Sequence, residues 1–376
     1  MPESDDGLVW AALTRCPALD LAVLSRALGT CGDVSALLRA GHRQCIEAEL
    51  PAPARDFLQS AAALATPAER AWLAGPRHHV LPFTDPRFPK MLLELFDCPI
   101  ALYVDGNPEA LCEPQIAIVG SRVPTPQGRL TARDLAEDLA GRGCTITSGL
   151  AEGVDAAAHE GALAAQGQTI GVLGTGIDIV YPRINARLSA AVGMSGALVC
   201  ELPLGTPPKP LHFPRRNRLI AGLSLGTVVV EAAQRSGSLI TARCALEQGR
   251  EVFAVPGSIH NPLARGPNAL IRQGAKLTET ADDILCELNF HAHFAGRPPC
   301  PAAREARAIA DAGMDKDRKI LLDALGFEPM DLDGLVARTG FKAQAVSSMM
   351  LILELEGHVQ AAPGGRYSRV ANRSRR

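Results

Sequence analysis

The sequence predicts an α/β protein: a parallel sheet covered by helices on both faces, flanked by a small helical domain at the amino end and a winged-helix-like domain at the carboxyl end. Three observations carry this. Between residues 116 and 288, short apolar runs alternate with stretches of helical spacing. Nearly every apolar run stops at a glycine or hydroxyl turn. Residues 314–370 read instead as three helices and a hairpin. Regular alternation of strands and helices makes βαβ units, whose crossovers bury both faces of a parallel sheet. Ligands of such sheets sit beyond the carboxyl ends of the strands, so the turns are where function is expected.

Residues 1–75 hold short amphipathic segments at 8–13, 19–28, 34–39, 55–64 and 68–73, broken by Pro17, Gly29, Gly32, Gly41, Pro51, Pro53 and Pro67. They fit a helix-hairpin-helix or sterile-alpha-motif-like domain, or a plain packing or partner module, and no Gly-x-Gly hairpin speaks for DNA contact. The main domain is expected over 76–290. Its first part, 79–111, is rich in prolines and contains one strand-like run at 101–104, which should cover an edge of the sheet.

The organising stretch is Ile116-Ala117-Ile118-Val119-Gly120-Ser121-Arg122, an apolar run that ends at a glycine, a hydroxyl and a cation. It reads as a buried strand feeding a turn whose amides and Arg122 face a ligand. The same plan repeats with a helix at 129–142, a strand at 144–147, the turn Ser148-Gly149-Leu150-Ala151, a helix at 154–166 and a strand at 169–173 ending at Gly174-Thr175-Gly176. After 177–181, a helix at 184–192 and a strand at 197–200 follow.

The next loop is the most informative. Residues 201–210 are proline-rich and deliver Lys209, His212, Phe213, Pro214, Arg215, Arg216, Asn217 and Arg218. Pro214 suits the first turn of a helix at 215–223, so the four cations crowd around a helix amino terminus, where anions are attracted. Phosphate is the obvious guest, and Phe213 beside the cations makes the pairing that single-stranded nucleic acid needs. The alternatives are a solvated charged face and a core phenylalanine. A strand at 227–230 leads to Glu231 and the turn Ser236-Gly237-Ser238, then come a helix at 239–248, a strand at 251–255 and closing helices at 268–273 and 281–288. Residues 291–313 are expected to be a linker. Beyond it, helices at 317–325, 332–339 and 343–356 and a hairpin of 358–361 with 366–370 imply a winged helix, whose third helix turns apolar and acidic where a sequence reader would be basic.

Bulk properties set limits. The chain has 376 residues, 47% of them hydrophobic and 21% charged, enough for two or three domains. A formal net charge of −2 requires any nucleic-acid surface to be local. Ten cysteines without a Cys-x-x-Cys pair suit reduced thiols in the cytoplasm. The acidic residues 2–6 hold no signal-peptide core, and no apolar run approaches the ~18 to 20 residues of a membrane span. A soluble cytoplasmic protein without a membrane partner is expected.

Enzymatic readings find little support. Gly174-Thr175-Gly176 lacks the third glycine of a dinucleotide fingerprint, and there is no Walker lysine or Gly-x-Ser-x-Gly elbow. Asp155 and His159 share a helix face, as a metal or acid/base pair would, but a helix-start carboxylate with a packed histidine explains them as well. His291 and His293 have no further ligands beside them. No cofactor or metal is expected. The surviving enzyme reading is a nucleotide N-glycoside hydrolase with Glu231 as its acid.

Several motifs, in order, resemble the DNA processing protein A family (DprA, also called Smf). They are Val119-Gly120-Ser121-Arg122; Ser148-Gly149-Leu150-Ala151-Glu152-Gly153-Val154-Asp155 with Ala158-His159; the stretch 171–182; and Phe213-Pro214-Arg215-Arg216-Asn217-Arg218-Leu219-Ile220-Ala221-Gly222-Leu223-Ser224. Val230-Glu231-Ala232-Ala233, Ser236-Gly237-Ser238-Leu239-Ile240-Thr241-Ala242 and the stretch 247–253 continue it. The resemblance covers roughly 80–285 and implies an extended Rossmann-like domain that binds single-stranded DNA without catalysis, dimerises, protects incoming strands in natural transformation and helps load the RecA recombinase. It places DNA contacts on Arg122, Lys209 and Phe213. Lys209 stands four residues before Phe213, whereas the family's lysine often stands three before. With the turn residues, the expected DNA-binding set is Ser121, Arg122, Ser148, Gly149, Lys209, Phe213, Arg216, Asn217, Arg218, Ser236, Gly237 and Ser238.

Overall fold

The computed structural model describes residues 3–60, 64–288, 316–326, 329–362 and 364–370, so the expected linker at 291–313 and its two histidines lie outside the described residues. At the centre of the main sheet is β3 (Gln115–Val119), buried along its whole length. A strand buried at every position needs cover on both faces, which a parallel interior position provides. β3 pairs in parallel with β4 (Thr145–Ser148) on one side and β7 (Gly226–Val229) on the other. Beyond β4 lie β5 (Thr169–Val172) and β6 (Ala197–Cys200); beyond β7 lie β8 (Glu251–Ala254) and a two-residue β9 (Lys276–Leu277), all parallel. The chain therefore leaves β3 first in one direction and later in the other, and the crevice beyond β3 and β7 is a topological switch point.

Two further strands extend the β6 edge in antiparallel sense, β1 (His78–Pro82) and β2 (Ala101–Gly106), giving the order β1-β2-β6-β5-β4-β3-β7-β8-β9. The edge cover read from 79–111 is thus itself part of the sheet. The sequence shows β2 but hides β1, because prolines crowd this region. Pro82 is tolerated since it closes the outermost strand, where a missing amide disturbs the ladder least.

Helices cover both faces. α8 (Pro126–Gly141), α9 (Val154–Ala164) and α14 (Ala281–Glu287) pack on Ile116, Ile118, Val228 and Phe253. On the opposite face, α11 (His212–Gly222), α12 (Ser238–Glu247) and α13 (Arg265–Arg272) pack on Ala117, Val119, Val229 and Ala254, with the short α7 (Lys90–Leu93) beside them. The two-residue alternation along β3 sorts these contacts. α10 (Ala186–Ser195) buries Val192 against Leu198 and Cys200 near the β6 edge.

At the amino end lie α1 (Glu3–Thr14), α2 (Leu21–Cys31), α3 (Val34–Arg39), α4 (His42–Glu47), α5 (Ala52–Leu58) and α6 (Pro67–Leu73). α4 was not visible in the sequence, and α5 begins before the expected 55–64, with Pro53 in its first turn where no amide is needed. Tyr103 of β2 fastens this layer to the sheet. It is fully buried, its hydroxyl is 2.9 Å from Thr14 Oγ1, and its ring meets Trp72 of α6 edge-on at 5.7 Å.

The carboxyl unit is the expected winged helix. α15 (Lys316–Leu325), α16 (Leu332–Thr339) and α17 (Ala343–Leu355) close over Leu321, Leu325, Leu335, Val346, Met350 and Leu353, and Asp331 caps α16 by accepting from Gly334 N at 2.8 Å. The hairpin of β11 (Val359–Ala362) and β12 (Arg366–Arg369) gains a third strand, β10 (Met330–Asp331).

Tyr103 separates ring burial from the hydroxyl. Thr14 Oγ1 also donates to Ala11 O at 2.7 Å, so removing the phenol leaves no orphaned carbonyl. Tyr103→Phe should lower unfolding free energy by about 1 kcal/mol and Tyr103→Ala by about 3 to 5 kcal/mol in denaturant titrations. Equal losses would mean that the hydroxyl, not the ring, fastens the helical layer.

Candidate nucleic-acid interface

The turns beyond β3, β4, β6 and β7 enclose a cleft of about 530 Å³ at the switch point. Phe213 stands at its mouth, in the first turn of α11, on a seat of bare backbone. A Cβ on Gly174 would come within 2.9 Å of the Phe213 ring, so only glycine lets the ring lie there. The ring of Tyr181 leans against it at 5.4 Å between centroids. From the other side Arg122 brings its guanidinium carbon to 5.8 Å from the Phe213 centroid, within cation–π range. Arg122 is exposed and Phe213 half-buried, so a solute can reach both.

Beneath this group lie two buried ionisable residues, Arg216 and Asp155. Arg216 points inward, and its Nη1 donates to Gly149 O at 2.7 Å and to Val172 O. Asp155, in the first turn of α9, accepts from Gly149 N at 3.1 Å. Burial pushes the Asp155 carboxyl up, and Arg216 opposes that rise. Burial pulls the Arg216 guanidinium down to about 10, against the pull of Asp155, so it stays charged at neutral pH. Both line the cleft.

Three helices aim their amino ends at the cleft, through Asp155 on α9, Phe213 and Pro214 on α11, and Gly237 and Ser238 at the start of α12. Their dipoles favour an anion there. At α12 the Oγ atoms of Ser236 and Ser238 are 2.7 Å apart, and Asn217 Nδ2 donates to Gly237 O at 3.2 Å. Lys209 lines the rim and is exposed.

The remaining expected residues lie elsewhere. Arg218 turns away from the cleft, with Nε 2.8 Å from Asp97 and Nη2 bound to Glu201, whose other oxygen holds Arg215 at 3.0 Å. Cations adjacent in sequence spread about 100° apart around a helix, so only some can face one site. Ser148 is fully buried and donates to Ile118 O at 2.6 Å. Ser121 gives its amide to Glu231 O at 2.6 Å and shapes the turn. Gly149 borders a smaller recess under Tyr181, Phe213 and Arg216. The acid of the hydrolase reading is engaged as well, because the Glu231 carboxylate accepts from Thr125 N at 2.8 Å and Thr125 Oγ1 at 2.7 Å and so holds the start of α8.

Tyr181 is the member that reading the sequence missed as a site residue. Its signal was an aromatic in a turn on the same sheet edge as the glycines. Asp155 also belongs to the cleft, where the sequence left it as a helix-start carboxylate. His159 does not pair with it: Nδ1 lies 2.7 Å from Thr169 Oγ1, which itself donates to Ile146 O at 2.7 Å, so the imidazole donates from Nδ1. Among the described residues, no cluster of three or more His, Cys, Asp or Glu could hold a metal, and no helix is long and apolar enough to cross a membrane.

Comparison with known proteins gives a consistent result. A family model described as DNA recombination-mediator protein A matches residues 79–289, and a DprA winged helix domain model matches 298–365. The chain is 46% identical to Protein Smf of Escherichia coli over 297 residues, covering 78% of each chain. It is 45% identical to DNA processing protein DprA of Streptococcus pneumoniae over 206 residues, 55% of this chain and 73% of that one. The crystal structure of S. pneumoniae DNA processing protein A superposes with a TM-score of 0.63 at 36% identity, covering 73% of this chain and 95% of that one. A structure of DNA processing protein A from Helicobacter pylori, described for its single-stranded DNA binding mode, superposes with a TM-score of 0.51 at 30% identity, covering 58% and 96%.

Beneath the cleft, His159 makes stability depend on pH. Burial, helped by Arg216, pulls its pKa from 6.5 to about 3. Below pH 6.5 the unfolded chain therefore binds a proton that the folded chain refuses, and the contribution is lost as pH falls toward 3. Between pH 7 and pH 5 this amounts to about 2 kcal/mol. Denaturation of wild type and His159→Gln at both pH values should show the wild type losing about that much more. Parallel losses would refute the assignment.

Proposed function

We propose a function from one premise: this chain belongs to the DNA recombination-mediator protein A family. Its cleft binds single-stranded DNA and performs no chemistry on it. The protein works in the cytoplasm as a homodimer, shields incoming single strands in natural transformation and helps load the RecA recombinase onto them. Residues 76–290 carry the DNA site, and the helical residues 1–75 and the winged-helix residues 314–370 act as accessory modules.

The observation that carries this reading is the assembly of Arg122, Phe213 and Tyr181 at the cleft mouth. An aromatic face accepts any base, since every base has a π-face, but only where strand separation has exposed it. Arg122, Lys209 and Arg216, with the amino ends of α9, α11 and α12, supply the positive field for the phosphates. Asn217, Ser236, Gly237 and Ser238 add neutral donors along the floor. Ser121, Ser148, Gly149 and Arg218 serve by shaping the surrounding turns. The likeness to the H. pylori protein described for single-stranded DNA binding supports the same reading. The hydrolase alternative gains nothing from the geometry, because Glu231 is bound to Thr125 at the start of α8.

Charge and stacking separate in titrations with a single-stranded oligonucleotide. Phe213→Ala should cost about 1 to 3 kcal/mol of binding with little change in salt dependence, since no charge is lost. Arg122→Ala should weaken binding and flatten the slope of log affinity against log salt by about 0.7. Wild-type affinity in both folded variants would remove the cleft from the path of the DNA.

A further inference from the structure

A second basic recess lies outside the cleft, where β12 of the winged helix meets α8. α8 presents Arg129 and, one turn later, Arg133; β12 presents Ser368 and Arg369; with Glu160 of α9 they line a cavity of about 260 Å³. Arg129 Nη2 is 3.0 and 3.1 Å from the two Glu160 oxygens, and Arg369 is held by Asp323 at 3.1 Å. Arg133 differs, since its Nε is buried and has no hydrogen-bond partner among the described residues. A buried guanidinium N–H is costly to leave unpaired, so it marks a place where a ligand oxygen would be favoured. With Arg129 on Glu160 and Arg369 on Asp323, Arg133 supplies the surplus positive charge of the recess, and a planar guanidinium fork matches phosphate.

We propose that this recess is a second phosphate-binding site for the same DNA strand, built jointly by α8 and the winged-helix hairpin. The proposal rests on the reading that the cleft binds single-stranded DNA. α8 begins at Pro126, only four residues after Arg122, and Pro126 already borders the recess. A strand leaving the cleft past Arg122 therefore meets Arg129, then Arg133 and Arg369. The winged helix is engaged through its hairpin. α17 is unsuited to that task, since its exposed surface carries Leu351 and Leu355 beside Glu354.

The test uses the full chain with two single-stranded oligonucleotides, one of about 6 nucleotides that fills the cleft and one of about 16 that reaches the recess. Wild type should bind the longer one more tightly and with a steeper salt slope. Arg133→Gln and, separately, Arg369→Gln should each lose about tenfold for the longer strand, flatten its slope by about 0.7, and leave the shorter strand unaffected. Arg122→Ala should weaken both strands. Should Arg133→Gln melt abnormally, Arg369→Gln on the hairpin decides alone. Variants that bind the longer strand with wild-type affinity and slope overturn the proposal. A wild type that ignores the short strand, with both variants still weakened for the long one, would sink the cleft reading and leave the recess standing.

Discussion

Arg216 is the residue on which the cleft depends. Its guanidinium bridges the carbonyls of Gly149 and Val172, which belong to the ends of two different strands, and the Asp155 carboxyl of α9 exerts a pull on its charge. One buried cation thereby ties α11 to the turns after β4 and β5. Phe213 sits one helical turn earlier on α11, so the position of the aromatic platform follows from where Arg216 is anchored. A hydrogen bond from a charged donor contributes about 1.5 to 3 kcal/mol, and Arg216 makes its bonds to backbone where water is excluded. These two bonds therefore add rigidity to the cleft floor, and the guanidinium adds positive charge.

The sheet explains why a chain of nearly balanced charge can hold an anion site. Parallel strands bring every strand-to-helix turn to one edge, and the reversal of strand order at β3 opens a crevice there. Helix amino ends then supply a positive field that the residue count does not register. Elsewhere several cations are neutralised locally. Arg215 and Arg218 share Glu201, Arg129 meets Glu160, and Arg142 is held by Asp138.

The central strands and helices were legible in the sequence because each obeys a clear period and ends at a small-residue turn. β1 was not, since prolines mask its alternation, and neither was β9, which is too short to show a period. Within the site, Arg122, Lys209, Phe213, Asn217 and the Ser236 turn were legible as residue types at strand ends, and the structure gathers them at one cleft. Proximity in sequence misled for Arg218, because helical rotation carries it onto Asp97 and Glu201. Ser148 misled in a different way, since its hydroxyl is consumed by the neighbouring strand. Tyr181 escaped because its partnership with Phe213 is made across the fold, between residues that no local pattern links.

The central claim is that single-stranded DNA lies with a base against the Phe213 and Tyr181 rings. Photocrosslinking with a strand carrying 5-iodouracil tests it directly, because the excited base couples to aromatic side chains in contact with it. The account predicts that peptide mapping recovers the crosslink on Phe213 or Tyr181, and that an unlabelled single strand competes it away far better than a duplex of the same sequence. Crosslinks confined to the winged-helix unit or to the amino-terminal helices, with none on the cleft aromatics, would contradict it.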